Sequence, residues 1–176
     1  MGWHNGRWWP LYTSAWYSPK VAQYMFDPYS FTHILHRVIS QLIFISIIHS
    51  SIAGFLTLML IELGWEVLEN GDFIMEKFRS NSGTSGQYKG DSVQNILGDM
   101  LSCAAGYALA TVFHLAGVWW ASLVWIVVSE VVCVLYMRAS LAIMMFALIF
   151  KNEALIAWQA EGIPKEELEV VEAKEK

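Results

Sequence analysis

Three short groups of polar residues stand at helical spacing in a chain that is otherwise mostly apolar. They are His33 and His36, then Glu62, Glu66 and Glu69, and then Asp91, Asn95 and Asp99. Side chains three or four positions apart lie on one face of a helix, with their Cβ atoms about 5–6 Å apart, so each group predicts one polar stripe. Imidazole and carboxylate groups on facing stripes are suitable ligands for zinc or iron, and two acids in different surroundings can exchange protons with a substrate.

The spacing of the histidines does not identify a metal. The order His33-x-x-His36 matches neither the two histidines of a zincin helix nor the Glu-x-x-His order of a di-iron bundle. A histidine pair is also commonly satisfied by hydrogen bonds within the protein. We therefore predict no cofactor and leave the identity of any metal unknown.

The helices that carry these stripes are predicted to lie in a membrane. Of the 176 residues, 56% are hydrophobic and 15% are charged, whereas a soluble domain has about 45–50% apolar and about 25% charged residues. A bilayer core of about 30 Å is crossed by a helix of about 20 apolar residues. Five segments have this character, namely 29–48, 52–69, 92–113, 118–137 and 140–160. The predicted class is an all-α, polytopic helical membrane protein with about five membrane helices.

Alternating crossings would bring the polar ends of four of these spans to one membrane face. A charge at the bilayer centre costs about 2.5–3.5 kcal/mol, so these groups should face one another or water rather than lipid. Arg138 is expected to neutralise Glu130 or an acid of the second span, or else to reach the lipid headgroups. The predicted polar pocket comprises His33, His36, Glu62, Glu66, Glu69, Asp91, Asn95, Asp99, Glu130 and Arg138.

The ends of the chain differ in composition from the spans. Residues 1–28 contain Trp3, Trp8, Trp9 and Trp16, which predicts an amphipathic aromatic segment at the headgroup level, although a segment packed on a partner protein would have the same composition. The connection 70–90 is predicted to be a loop, and residues 161–176, with six Glu and three Lys, an acidic solvent-exposed tail. The net charge of −5 gives no basic surface for nucleic acid.

Three basic residues of the connection predict a lipid contact. Lys77, Arg79 and Lys89 are placed to bind anionic lipid headgroups, so bound phospholipid is the one ligand considered. Within the spans, Gly98, Ala105 and Gly106 permit close contact between helices. Cys103 and Cys133 are interpreted as small buried hydrophobic residues rather than as a disulfide or a metal pair.

Several longer stretches resemble a known family. They are WEVLENGDFIMEKFR at 65–79, YKGDSVQNILGDMLSCAAGY at 88–107, and SEVVCVLYMR and NEALIAWQA further on. The chain resembles an uncharacterised family of integral membrane proteins found chiefly in alphaproteobacteria, itself similar to VanZ-like proteins. The resemblance implies a polytopic helical fold, no established activity, and a bacterial inner membrane or, by descent, the mitochondrial inner membrane. Compared with that family, this chain lacks an N-terminal hydrophobic segment and has Ala139 and Ser140 where an acid and an amide are usual.

The sequence leaves three functional interpretations open. The preferred one is a structural or accessory subunit of a larger membrane complex, such as a respiratory complex, whose partners are membrane lipids and other membrane-protein subunits. The alternative is a membrane-embedded enzyme in which a His-carboxylate site, with or without a metal, acts on a lipid-linked substrate. The third is proton or ion passage, for which only His49 and His114 lie towards the opposite face.

Overall fold

The computed structural model describes residues 10–18, 20–48, 52–84 and 88–164, with the backbone alone at 45–48. Within these residues it has seven α-helices, a short 3-10 helix at Val21–Gln23, and an isolated bridge between Tyr12 and Phe26. The α-helices are α1 Ser30–Ile48, α2 Ile52–Glu69, α3 Asp72–Asn81, α4 Val93–Leu115, α5 Trp120–Met137, α6 Leu141–Ile149 and α7 Glu153–Ala160. The predicted all-α class is confirmed.

Helix α1 packs chiefly along α4, and it also contacts α5 and α6. Two glycines of α4 allow it to lie close to α1 and to the segment before α1. A methyl group at Gly106 would lie 2.5 Å from the carbonyl oxygen of Ile34, and a methyl group at Gly98 would overlap the carbonyl of Met25. Because only hydrogen fits at both positions, α4 comes close to α1 and to the segment before it, and Asp99 comes opposite the histidines of α1.

Within the described residues only two helices, α4 and α5, are long and apolar enough to cross a membrane. The prediction of about five membrane helices is therefore wrong. Segment 140–160 breaks around Lys151 into α6 and α7, which have nine and eight residues and are too short to span a bilayer. Helix α2 has three glutamates, and α1 has an arginine and two histidines.

The predicted loop 70–90 contains helix α3, so this part of the prediction is also wrong. Asp72 in the first turn and Arg79 in the last turn both stabilise the helix dipole. Phe78 is buried, and Asn81 donates a hydrogen bond of 2.7 Å to the carbonyl oxygen of Ala147 in α6. Helix α3 is thereby attached to α6, and only the residues after it have the Ser- and Gly-rich composition of a loop.

Residues 10–18 and 20–28 make contacts with the helices and with the residues before α4. Trp16 is buried with Cys133, Met137 and Ala139, and the amide of Ser92 donates to the carbonyl of Ala22 at 2.9 Å. The headgroup position of the N-terminal segment stays a prediction, as do the domain boundaries. Residues 1–9, with three of its tryptophans, and residues 165–176 of the acidic tail lie outside the described residues.

Candidate metal-binding site

Glu62 of α2 bridges the two histidines of α1. Its Oε1 lies 2.8 Å from Nδ1 of His33, and its Oε2 lies 2.7 Å from Nε2 of His36. Because an ionised carboxylate only accepts hydrogen bonds, both of these ring nitrogens carry protons. A neutral His33 then keeps its lone pair on Nε2, the nitrogen that faces away from Glu62.

Arg37 neutralises the same carboxylate. Its Nη2 lies 3.2 Å from Oε2 of Glu62, and each of the two side chains is only 1% exposed. Arginine stays charged in proteins, so this pair contributes one positive and one negative charge to the interior. Glu62 therefore has a complete set of partners without any ligand.

Two further carboxylates face His33 without comparable partners. Oδ2 of Asp99, on α4, lies 3.8 Å from Nε2 of His33, and Oε1 of Glu66, on α2, lies 3.7 Å from Nδ1. Both distances exceed that of a hydrogen bond. Among the described residues nothing donates a hydrogen bond to Oε1 of Glu66, although Glu66 is only 2% exposed. A buried ionised carboxylate costs several kcal/mol unless a cation pairs with it.

The start of α1 holds Asp99 in place. Oγ of Ser30 donates to Oδ1 of Asp99 at 2.9 Å, which leaves Oδ2 directed towards His33. Ser30 is itself fixed by Asp27, whose Oδ1 accepts hydrogen bonds from the backbone amides of Tyr29 and Ser30 at 2.7 and 3.1 Å. Burial raises the pKa of Asp27 to about 6, although these two amides act in the opposite direction.

Asp91, which is buried, belongs to a separate group with the half-buried Asn70 and Tyr88, and we call these three residues the closed network. Nδ2 of Asn70 and the hydroxyl of Tyr88 donate to Oδ2 of Asp91 at 2.9 and 2.8 Å, and the Asp91 amide donates to Oδ1 of Asn70. Burial raises the pKa of Asp91, while the hydrogen bonds from Tyr88 and Asn70 act against it. Burial, and then the charge of Asp91, raise the pKa of Tyr88. The closed network joins the end of α2 to the residues that precede α4.

His33, Glu66 and Asp99, which we call the open cluster, bring three possible metal ligands close together. Their ligand atoms lie within 4.8 Å of one another, and ligands of a tetrahedral zinc ion, at about 2.1 Å from it, lie about 3.4 Å apart. For all three to reach one ion, the ligand atoms would have to move closer by up to about 1.4 Å, and His33 would bind the ion through Nε2. The hydrogen bond from His33 to Glu62 is the carboxylate–histidine arrangement that orients metal ligands. Two carboxylates and a neutral imidazole also match the charge of a divalent cation.

A second set of ligand atoms is less suitable. His33, His36, Glu62 and Cys103 also place such atoms within 4.8 Å of one another, and Sγ of Cys103 lies 3.9 Å from Nε2 of His36. However, Glu62 is in contact with the guanidinium of Arg37. The fixed positive charge of Arg37 repels a cation at Glu62, so the open cluster is the better site.

The structure brings together five of the ten predicted pocket residues, namely His33, His36, Glu62, Glu66 and Asp99. Asp91 lies in the closed network, and Nδ2 of Asn95 donates to the carbonyl of Tyr24 at 2.9 Å and to Asp27 at 3.3 Å. Glu69 is half-buried at the end of α2. That any of these residues performs chemistry stays a prediction.

The remaining two predicted pocket residues bind other helices. The amide of Ala142, at the start of α6, lies 3.3 Å from the carboxylate of Glu130. Arg138 lies 3.6 Å from Glu161 and over the ring of Trp158. Arg138 thus pairs with an acid beyond α7, and not with Glu130 or an acid of α2.

The residues predicted to bind lipid headgroups lie on or after α3. Lys77 lies over the ring of Phe73, Arg79 lies 3.7 Å from Glu76, and Lys89 is exposed. Their binding of phospholipid stays a prediction. His114 is exposed at the end of α4, and His49 lies outside the described residues.

Two residues of the site were not predicted from the sequence. Arg37 stands four positions after His33, so the spacing that relates His33 to His36 also places Arg37 on this face. Cys103 stands four positions after Asp99, and its thiol lies 3.5 Å from the carbonyl oxygen of His33. A helical count from each predicted residue would have found both.

Comparison with known proteins adds a family but no activity. Residues 4–161 match the model of a family described as "Protein of unknown function (DUF2585)". The chain is 29% identical over 145 residues to a UPF0314 protein of Paracoccus denitrificans, covering 81% of this chain and 72% of the relative. It is 30% identical over 147 residues to a UPF0314 protein of Sphingopyxis alaskensis, covering 82% and 76%. No solved structure matches.

These matches correct the predicted resemblance. They are to DUF2585 and UPF0314 proteins, and nothing in them points to VanZ-like proteins, so that assignment is wrong. The relatives named above are bacterial. They give no support to a mitochondrial membrane or to a respiratory complex.

Proposed function

We propose that this chain, which belongs to the DUF2585 family of proteins of unknown function, is a membrane-embedded metalloenzyme that binds a divalent cation at His33, Glu66 and Asp99. The observation that carries the proposal is Oε1 of Glu66, a deeply buried carboxylate oxygen without a hydrogen-bond donor among the described residues. Buried polar atoms normally have partners. A cation between Glu66, Asp99 and His33 would supply the partner for Glu66.

The balance of charge supports a cation of charge two. Arg37 already neutralises Glu62, so Glu66 and Asp99 are the two negative charges left in the cluster when His33 is neutral. A divalent ion neutralises both of them. Protons on the two acids would also do so, and the metal analysis described below separates these possibilities.

The outer surfaces of α4 and α5 support a place in a membrane. Of the 18 residues that form the apolar stretch of each helix, only 33% are buried inside the protein in α4 and 22% in α5. The apolar core helix of a soluble protein is, by contrast, mostly buried. Val127, Val131 and Leu135 are 63%, 51% and 80% exposed and follow one another at four-residue intervals on α5. Lipid hydrocarbon is the solvent that suits such a stripe.

The ligand set supports catalysis rather than a purely structural metal. Structural zinc sites have four protein ligands, whereas catalytic sites keep a position for water or substrate. The open cluster offers three ligands. Beside it, His36 is 26% exposed and is joined to His33 through Glu62, so a proton released at the site has a hydrogen-bonded route to the surface.

The test is metal analysis of the full-length chain, purified in mild detergent with a tag that lacks histidine. We expect about one divalent ion per chain, and a loss of at least about tenfold in metal affinity for Glu66→Gln and for Asp99→Asn. Asp91→Asn is the matched control, because it removes a buried carboxylate of the closed network and should leave the metal in place. A wild-type protein that binds no zinc, iron or manganese would rule the proposal out.

The accessory-subunit role remains the second candidate. The exposed apolar stripe of α5 also suits contact with another membrane protein. Native electrophoresis of gently solubilised membranes separates the two candidates. Co-migration with a large complex, without metal in the purified chain, would favour the accessory role, whereas a small species with bound metal would favour the enzyme. Proton passage stays a prediction.

A further inference from the structure

A pocket of about 600 Å³ lies beside the N-terminal half of α1. Its walls come from α1, α4 and α5, and from the paired segments around Tyr12 and Phe26. The walls are mostly apolar, with Phe31 and Ile34 on α1, Leu101 on α4 and Val132 on α5. The volume falls in the range of about 300–1,000 Å³ that is usual for small-molecule sites.

Two of the walls are the helices that are long and apolar enough to cross a membrane. Leu101 and Val132, which line the pocket, are 52% and 51% exposed, so the lining continues onto the outer surface of α4 and α5. In the proposed membrane setting the pocket therefore borders hydrocarbon. Water is a poor occupant for such walls, because an apolar cavity offers it too few polar partners.

One part of the pocket lining is polar and lies next to the proposed metal site. Ser30 and Asp27 contribute to the lining, and Oγ of Ser30 donates directly to Oδ1 of Asp99 at 2.9 Å. A single hydrogen bond thus separates a residue of the pocket from a ligand of the open cluster. An occupant with an apolar body and a polar end would match both parts of the lining.

We infer that the pocket holds one hydrocarbon chain of a membrane lipid, with the lipid's polar end beside Ser30. This inference rests on the proposed function and names the substrate class of the metal site as a lipid with a hydrocarbon chain. The chain of the lipid packs against Phe31, Ile34 and Val132. Its polar end then lies on the side of α1 where Ser30 contacts Asp99.

The experiment is photolabelling of the full-length protein in phosphatidylcholine vesicles that contain a phosphatidylcholine with a diazirine on one acyl chain. We expect the labelled peptides to include Phe31, Ile34 and Val132, with severalfold more label there than at the outer stripe of α5. Ala105→Trp, which fills the pocket, should lower the pocket label severalfold. Ala108→Trp is the control, because this exposed alanine lies on the same helix and outside the pocket.

A second pair of variants keeps the test decisive if Ala105→Trp does not fold. Val132→Trp fills the pocket from α5, whereas Val131→Trp, at a residue equally exposed at 51%, lies outside the pocket lining. Equal label in the pocket and at the outer stripe, or label that neither pocket variant lowers, would overturn the inference.

Metal content measured on the same samples separates this inference from the proposed function. We expect the wild-type protein to show both label in the pocket and bound metal. The variants that fill the pocket should lose the label and keep the metal. Bound metal without pocket label would overturn only the lipid assignment. Pocket label without metal in the wild-type protein would overturn the proposed function, and with it the assignment of the lipid as a substrate.

Discussion

The closed network and the open cluster both bury carboxylates between α2 and the region of α4, but they satisfy them differently. Asp91 accepts hydrogen bonds from Asn70 and Tyr88 and is fixed by its own amide. Glu66, one turn before Asn70, has an oxygen without a donor among the described residues. Burial alone therefore does not mark a ligand site. The informative feature is a buried acid whose partners are incomplete.

The contrast also separates stability from function. A carboxylate with complete partners stabilises the fold, and its removal leaves donors without acceptors. A carboxylate without partners destabilises the fold until a ligand binds. Substitutions in and around the two groups should therefore differ in their effect on stability, from a large loss to none.

The largest effect is expected for Arg37→Met, which leaves Glu62 with the two histidines but without the guanidinium that neutralises its charge. Removal of one partner of a buried ion pair costs about 3–5 kcal/mol, because the other charge stays buried. Thermal unfolding in detergent should show the loss. Arg79→Met is the control, since Arg79 is exposed at the end of α3, and a similar loss in both variants would contradict the prediction.

The second prediction concerns the pH dependence that Asp27 confers. Its pKa is raised from 3.8 to about 6 by burial, so the folded protein binds the proton more tightly than the unfolded chain. Stability should therefore fall as the pH rises through this interval, by an amount on the order of 3 kcal/mol, and the fall should be complete above about pH 6.

Asp27→Asn, which cannot ionise, should remove this part of the pH dependence. The measurement is the unfolding midpoint of both proteins between pH 4 and pH 8. Asp72→Asn, at an exposed residue in the first turn of α3, is the control and should follow the wild-type curve. Parallel curves for wild type and Asp27→Asn would show that Asp27 is not the group responsible.

The third prediction tests the closed network directly. Asp91→Ala removes the carboxylate oxygen that accepts from both the Tyr88 hydroxyl and the Asn70 amide, so both donors lose their acceptor. We expect a loss of about 1–3 kcal/mol and no change in metal content. Loss of the metal in this variant would mean that the two regions act as one site.

The smallest effect on stability is expected for Glu66→Gln. Removal of the charge relieves the cost of burying it, so the metal-free variant should be as stable as the metal-free wild type, or more stable. Added zinc should raise the unfolding midpoint of the wild type only, because a ligand stabilises the state that binds it. A clear loss of stability without metal would show that Glu66 has partners in the fold after all.

The sequence predicted some elements of the fold well. The apolar segments 29–48, 52–69, 92–113 and 118–137 coincide with α1, α2, α4 and α5 within about two residues, because long apolar runs with helical periodicity have few alternatives. It did not predict the break around Lys151 or helix α3. The attachment of α3 to α6 depends on a contact distant in sequence, the bond from Asn81 to Ala147, whereas α7 begins after the break at a local cap, where Oδ1 of Asn152 accepts from the amide of Leu155.

The site was predicted only in part, for a related reason. Helical spacing shows which residues share a face, and this was enough to group His33 with His36 and Glu62 with Glu66. It does not show how far each helix is rotated about its axis. The packing of whole helices decides that Arg138 lies against Glu161 rather than Glu130, and that Arg37 approaches Glu62.

The Arg37–Glu62 pair has a consequence for biosynthesis. It joins two helices that follow one another in the chain, 25 residues apart at the paired positions, so both charges are present as soon as α2 has been made. Arg37 and Glu62 can therefore pair during synthesis, before α4 is present. Asp99 follows on α4, so the proposed metal site is complete only after α4 has been made.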